Sequence, residues 1–172
     1  MTVPKKPAKI SLTPIEAHNF QKSVVSGVDD LIKLVGKATP MEIVQLEKSG
    51  VKVDLIKELS KTMQVLKLRM YDILGVPKGQ EARKVRRNGL LSGSGGYAAL
   101  GLINLLGITR DIVGDSTHAQ APDFDAGKWL GLWIERAQPS LGGRKPSDLI
   151  NSPTGVKIVG KLLGSIRSGA YQ

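Results

Sequence analysis

An all-α fold is what this sequence predicts, and three observations predict it. Apolar residues recur at helical spacing in one segment after another. No segment alternates apolar and polar residues as a half-buried strand would. Helix-start signals that pair a hydroxyl cap with a proline, Thr39-Pro40 and Ser152-Pro153, stand between the segments.

The first 14 residues, MTVPKKPAKISLTP, hold three prolines and three lysines without periodicity, and read as a disordered basic arm. Its role, solubilising tail or DNA-grasping arm, stays open. From Ile15 to Val35 the apolar positions Val24, Val25, Val28, Leu31, Ile32 and Val35 predict one amphipathic helix, with Gly36 ending it. Thr39 then caps a helix whose first residue is Pro40. Glu42 lies in its electropositive first turn, Ile43, Val44 and Leu46 supply the apolar side, and Ser49-Gly50 close it. Residues 51–75 carry enough apolar positions for two helices, with a break between Met63 and Leu66.

After the turn Gly75-Val76-Pro77 comes KGQEARKVRRNG. Five of the ten residues 78–87 are basic and Glu81 is their one acid, which makes the segment +4. An apolar helix, a short glycine-containing turn and a basic helix are the parts of a helix-turn-helix, here spanning about residues 66–87. The second helix must be positive to lie in a major groove. Gln80 and Arg83 can reach base edges, Lys84, Arg86 and Arg87 can pair phosphates, and Lys78 is a further DNA-binding candidate, the sequence leaving open which does which. A solvated basic face is the alternative.

Residues 90–96, LLSGSGG, lack the Gly-Lys-Ser/Thr of a phosphate loop and read as a flexible connector, with Ser92 or Ser94 capping the next helix. Tyr97 to Val113 is apolar on nearly every side, as befits a helix buried in a core or a subunit interface. Asn104, Arg110 and Asp111 interrupt it and argue against a membrane span. The loop from Gly114 to Asp125 holds Asp115, His118, Asp123 and Asp125, at spacings that match no metal site, so no metal is expected. Asp125 or a residue before it caps a helix from Gly127 to Ala137.

That helix sets Trp129 and Trp133 on one face, as core or as interface anchors. Pro139 to Arg144 form a turn with paired glycines, and Pro146 opens a short helix. Ser152 caps a last helix with an apolar stripe of Val156, Val159, Leu162, Leu163 and Ile166, and Gly169 suits its C-terminal cap.

The charge of +10 and pI near 9.9 favour polyanionic partners, nucleic acid first. Aromatics at 4% argue against a single-strand stacking platform. Without cysteine there are no disulfides, thiolate metal sites or cysteine nucleophiles. No nucleophile–base pair or carboxylate dyad emerges, so neither an enzyme nor a cofactor is expected. With no signal-peptide core and no long apolar run, the expected location is the cytoplasm.

The ordered set WL at 129–130, LGGRKP at 141–146, DLI at 148–150, Gly155, Val159 and LLGSIRSGAY at 162–171 resembles the toxin-binding domain of the Xre/MbcA/ParS antitoxins. It departs from the pattern at Ala137-Gln138, where Pro-Asn is expected, and at Ile150, where leucine is usual. The resemblance implies an Xre-like helix-turn-helix domain at 15–114 that dimerises and binds operator DNA, a link at 115–126, and a toxin-binding domain at 127–172. It further implies an antitoxin whose partner is a RES-domain, NAD-depleting toxin. The residues it points to are Gly142, Gly143, Arg144, Arg167, Ser168, Gly169, Ala170, Tyr171 and Gln172. The tail would enter the toxin's cleft, where a carboxylate suits cationic donors and Tyr171 can stack. Arg144 either pairs with acids on the toxin or bonds carbonyls of its own turn, and Tyr171 could instead pack on Trp129. A stand-alone regulator whose C-terminal domain only mediates assembly is the competing function.

Overall fold

The computed structural model describes residues 27–76, 83, 87, 89–115 and 124–167 of the chain. The arm at 1–14, residues 15–26, most of the basic segment, and 116–123 of the loop lie outside them. Among the described residues the fold is all-α: seven α-helices and one two-residue ladder.

Helix α1 (Val28–Lys37) places Asp29 and Asp30 in its first turn and Lys37 in its last, each sign complementing the helix dipole. It runs one residue past Gly36, whose missing side chain faces open space and sets no limit. Helix α2 (Pro40–Ser49) starts at Thr39 with a capping box. The Thr39 hydroxyl accepts from the Glu42 amide at 3.4 Å, and the Glu42 carboxylate accepts from the Thr39 amide at 2.7 Å.

Gly50, at φ 78°, then turns the chain into strand β1 (Val51–Lys52). Strand β2 (Leu90–Leu91) pairs with it antiparallel, Val51 opposite Leu91. Both of those side chains are buried, so the ladder closes one end of the core. Two residues per strand are too few for an alternating pattern to show in the sequence.

Helices α3 (Asp54–Thr62) and α4 (Lys67–Ile73) are separated at the expected break. Both end in the same way. The amide two residues past the cap reaches back to the last turn, Val65 to the Ser60 carbonyl at 3.0 Å and Val76 to Tyr71 at 3.0 Å. The residue between is left-handed: Gly75 after α4 and, at φ 52°, Gln64 after α3.

Helix α5 (Gly93–Gly114) is the centre of the molecule. The glycine run opens this helix and is not a connector. A Cβ at Gly95 or Gly96 would strike Leu91, so these glycines let α5 sit directly on the ladder. Ser92 occupies the cap position without a side-chain cap bond. Length and composition would allow α5 to cross a membrane, yet Ala98, Ala99, Leu102, Ile103, Leu105 and Leu106 are all fully buried by the surrounding helices. The Thr109 hydroxyl, also buried, donates to the Leu105 carbonyl at 2.8 Å.

Helices α6 (Ala126–Ile134) and α7 (Pro153–Arg167) complete the fold, and α5 packs most extensively against α7 and α1, then α6. One continuous apolar cluster runs from Val28 on α1 to Leu163 on α7.

Candidate functional site

The region from α6 to α7 is built by local signals of the expected kind. The Asp125 carboxylate caps α6 by accepting from the Lys128 amide at 2.9 Å. Helix α6 ends at Ile134, three residues short of the expected Ala137, because Glu135 caps it and the chain turns into the glycine loop. Gly127 and Gly131 press α6 onto the backbone carbonyls of Thr62 and Met63, where any Cβ would collide. Trp133 is buried and Trp129 half-buried, with their rings stacked 5.9 Å apart and Phe124 tilted against Trp129 at 6.2 Å. The pair therefore belongs to the core edge, neither fully inside nor free.

The turn that follows is closed at its neck. The Gln138 amide donates to the Arg144 carbonyl at 3.0 Å, and the Gly143 amide to the Gln138 carbonyl at 3.0 Å. Gly142 and Gly143 adopt φ of 64° and 78°, left-handed angles that favour glycine at this apex. Gly142, Gly143 and Arg144 are all exposed, and the Arg144 side chain makes no ion pair among the described residues. A second short helix, a 3-10 turn at Pro146–Asp148, leads to Ser152, whose hydroxyl accepts from the Gly155 amide at 3.1 Å. On α7 the expected stripe faces inward: Val159, Leu162 and Leu163 are buried, and Val156 packs on Gly101 of α5. Arg167 is the last residue of α7; its side chain and residues 168–172 lie outside the described set.

Of the basic residues, Arg83 and Arg87 have helical backbone and are exposed. Lys78, Gln80, Lys84 and Arg86 lie outside the described residues, as do His118 and Asp123. Among the described residues no group of three or more histidines or carboxylates is placed to hold a metal.

One cluster has no counterpart among the sequence motifs. Arg69, on α4, grips both carboxylate oxygens of Glu135 at 2.9 and 3.2 Å and also donates to the buried Ser147 hydroxyl at 3.2 Å. Lys145 adds an ion pair to Glu135 at 3.4 Å. Partial burial alone would raise the Glu135 carboxyl. The hydrogen bond from Arg69, then its charge and Lys145, outweigh this and hold the group below its ordinary value. The same bond raises the Arg69 guanidinium further. The cluster staples α4 to both ends of the glycine turn. Partners 66 and 78 residues apart leave no spacing to read.

This is a helical chain whose α6–turn–α7 unit presents an exposed glycine turn closed by backbone hydrogen bonds. Residues 110–169 match the antitoxin Xre/MbcA/ParS C-terminal toxin-binding domain. Over 139 residues, 81% of this chain and 86% of the relative, it is 31% identical to a protein of Sphingobium sp. (strain YBL2) named Prs ADP-ribosylating antitoxin. No solved structure matches the chain. The chain belongs to the Xre/MbcA/ParS antitoxin family, whose members are regulators and inhibitors and not enzymes.

Proposed function

We propose that this antitoxin neutralises a RES-domain toxin that consumes NAD, by lodging Arg167 to Gln172 in the toxin's catalytic cleft while the Gly142–Arg144 turn contacts its rim. The match of residues 110–169 to a toxin-binding domain is the observation that carries the reading. The relative's name supports the chemistry: ADP-ribosyl transfer and NAD hydrolysis break the same nicotinamide–ribose bond, so both toxin activities need a dinucleotide cleft. Arg144 is exposed and makes no ion pair among the described residues, which favours a partner acid over the carbonyls of its own turn.

Deleting Gly169–Gln172 removes residues beyond the last described helix. The truncated chain is expected to keep its thermal midpoint and lose growth rescue in cells expressing the toxin. Rescue that survives the deletion would leave the helix surfaces as the whole inhibitor.

The same chain, as a cytoplasmic homodimer, binds its operator through the helix that carries Arg83 and Arg87. The exposure of both arginines supports this reading over side chains turned inward. The double change Arg83→Ala, Arg87→Ala should weaken operator binding and flatten the slope of log affinity against log salt, by about 0.9 for each phosphate left unneutralised. A slope that stays put in a filter-binding series means the face meets solvent. Operator binding without any toxin affinity would favour the stand-alone regulator.

A further inference from the structure

Arg69 lies outside residues 110–169, the part that matches a toxin-binding domain, yet its bonds to Glu135 and Ser147 end inside them. Its own base is fixed, because its α4 neighbours Met70 and Ile73 are buried in the core. A guanidinium fork can orient two groups at once, which a point charge cannot. Here Nε and Nη2 meet the Glu135 carboxylate at 2.9 and 3.2 Å, and Nη2 also reaches the Ser147 hydroxyl at 3.2 Å.

Glu135 stands where α6 ends, and Ser147 lies in the short helix that follows the turn. The segment between them is buried near its ends, at Gln138 and Pro146, and otherwise lies open. Pro139, Ser140 and Gly142 to Lys145 are exposed, and of residues 139–145 only Leu141 packs against the core. A Cβ at Gly142 or Gly143 would meet nothing within 4 Å. The bonds from Gln138 to residues 143 and 144 keep the turn's shape, but they lie within the turn and do not fix its place on the molecule. Arg69 joins both of its flanks to α4.

We infer that Arg69 is a positioning residue for toxin binding: without touching the toxin, it fixes where the 139–145 turn stands and so sets the affinity. This rests on the rim contact proposed above for Gly142–Arg144. A turn already held in place loses less freedom on binding, so the restraint strengthens the complex without adding a contact. Ser147 takes part from the interior, since a side chain 3% exposed does not itself meet a partner. The unit that binds toxin thus reaches back beyond residue 110 to α4.

The probe is the cognate RES-domain toxin, titrated calorimetrically with the full chain and its variants. Arg69→Met and Ser147→Ala should each weaken binding, the first on the order of tenfold. Arg69→Lys keeps the charge but cannot form the fork, and should bind as weakly as Arg69→Met. Thr39→Ala removes the cap of α2, lowers the thermal midpoint away from the turn, and should keep full affinity. A double-mutant cycle with Arg144→Ala decides the route. Acting through the turn, Arg69→Met should cost less affinity once Arg144 is gone. Equal costs in both backgrounds mean that Arg69 meets the toxin itself, which overturns the inference. Full affinity in Arg69→Met or Arg69→Lys overturns it too, as does an affinity that falls with the midpoint in Thr39→Ala. Binding lost in Arg144→Ala but kept in Arg69→Met overturns this inference alone. Arg144→Ala at full affinity takes the turn out of the footprint and overturns the rim contact and this inference together. A wild-type chain that does not bind the toxin removes the toxin reading itself, and this inference with it.

Discussion

At the scale of single residues, Glu135 ties α4 to the glycine turn through its bonds to Arg69 and Lys145. Arg69 and Lys145 hold its carboxyl below the ordinary 4.5 against the opposing effect of burial. A carboxyl whose folded value is depressed contributes stability above its unfolded value, and that contribution fades as pH falls toward the folded value. The staple should therefore weaken below about pH 4.3 and be intact at neutrality. Thermal midpoints of the native chain and Glu135→Gln, measured from about pH 7 down to about pH 3, should differ most at the neutral end and converge in acid. Parallel curves across the range would mean that the carboxylate's charge adds nothing. Both side chains keep substantial solvent exposure, so the effect is modest in energy. Its importance lies in where it acts, at the joint between α4 and the glycine turn.

At the scale of elements, the contrast between the ends of α3 and α4 makes a clean test. The two helices use the same closing hydrogen bonds, yet α4 has Gly75 at the left-handed position and α3 has Gln64. A side chain at φ 52° carries a steric cost that glycine avoids, offset in part by glycine's freedom in the unfolded chain. Gln64→Gly should accordingly stabilise the protein by about 0.5 kcal/mol in chemical denaturation, and a loss of stability would show that the glutamine side chain contributes packing of its own. This asymmetry also marks where the sequence stops being legible. Thr39, Asp125 and Ser152 each act on an amide three residues on, so their caps could be read without a fold. Gly142 and Gly143 announced their turn in the same local way. Gly95, Gly96, Gly127 and Gly131 give no such local signal, because what they do is admit a neighbouring element, and absence of a side chain carries no record of which one. The Arg69 staple was hidden for a related reason: its partners meet only after α4 and α6 have packed.

At the scale of the whole molecule, the family match begins at residue 110, inside α5, and one apolar core runs through both the matched and the unmatched part. Helix α5, in the N-terminal part, buries its sides against α1, α6 and α7 together. Removing α7 would strip cover from Leu105 and Ile108, which lie against Gly160, while α7 without α5 would expose Val156, which packs on Gly101. Neither part keeps a closed core by itself, so the chain should unfold as one cooperative unit. Its two tryptophans, Trp129 and Trp133, both lie on α6, which lets fluorescence report the toxin-binding part while far-UV circular dichroism reports all the helices. The two signals should give a single coincident denaturation curve. Leu59→Ala on α3 and Leu163→Ala on α7, each deleting a fully buried side chain, should cost about 2–5 kcal/mol and move both signals together. If Leu59→Ala shifts the dichroism and leaves the tryptophan transition in place, the parts fold separately and the shared core is not a thermodynamic one. Coincidence would mean instead that any event loosening α3 or α4 is felt at the toxin-binding part of the chain.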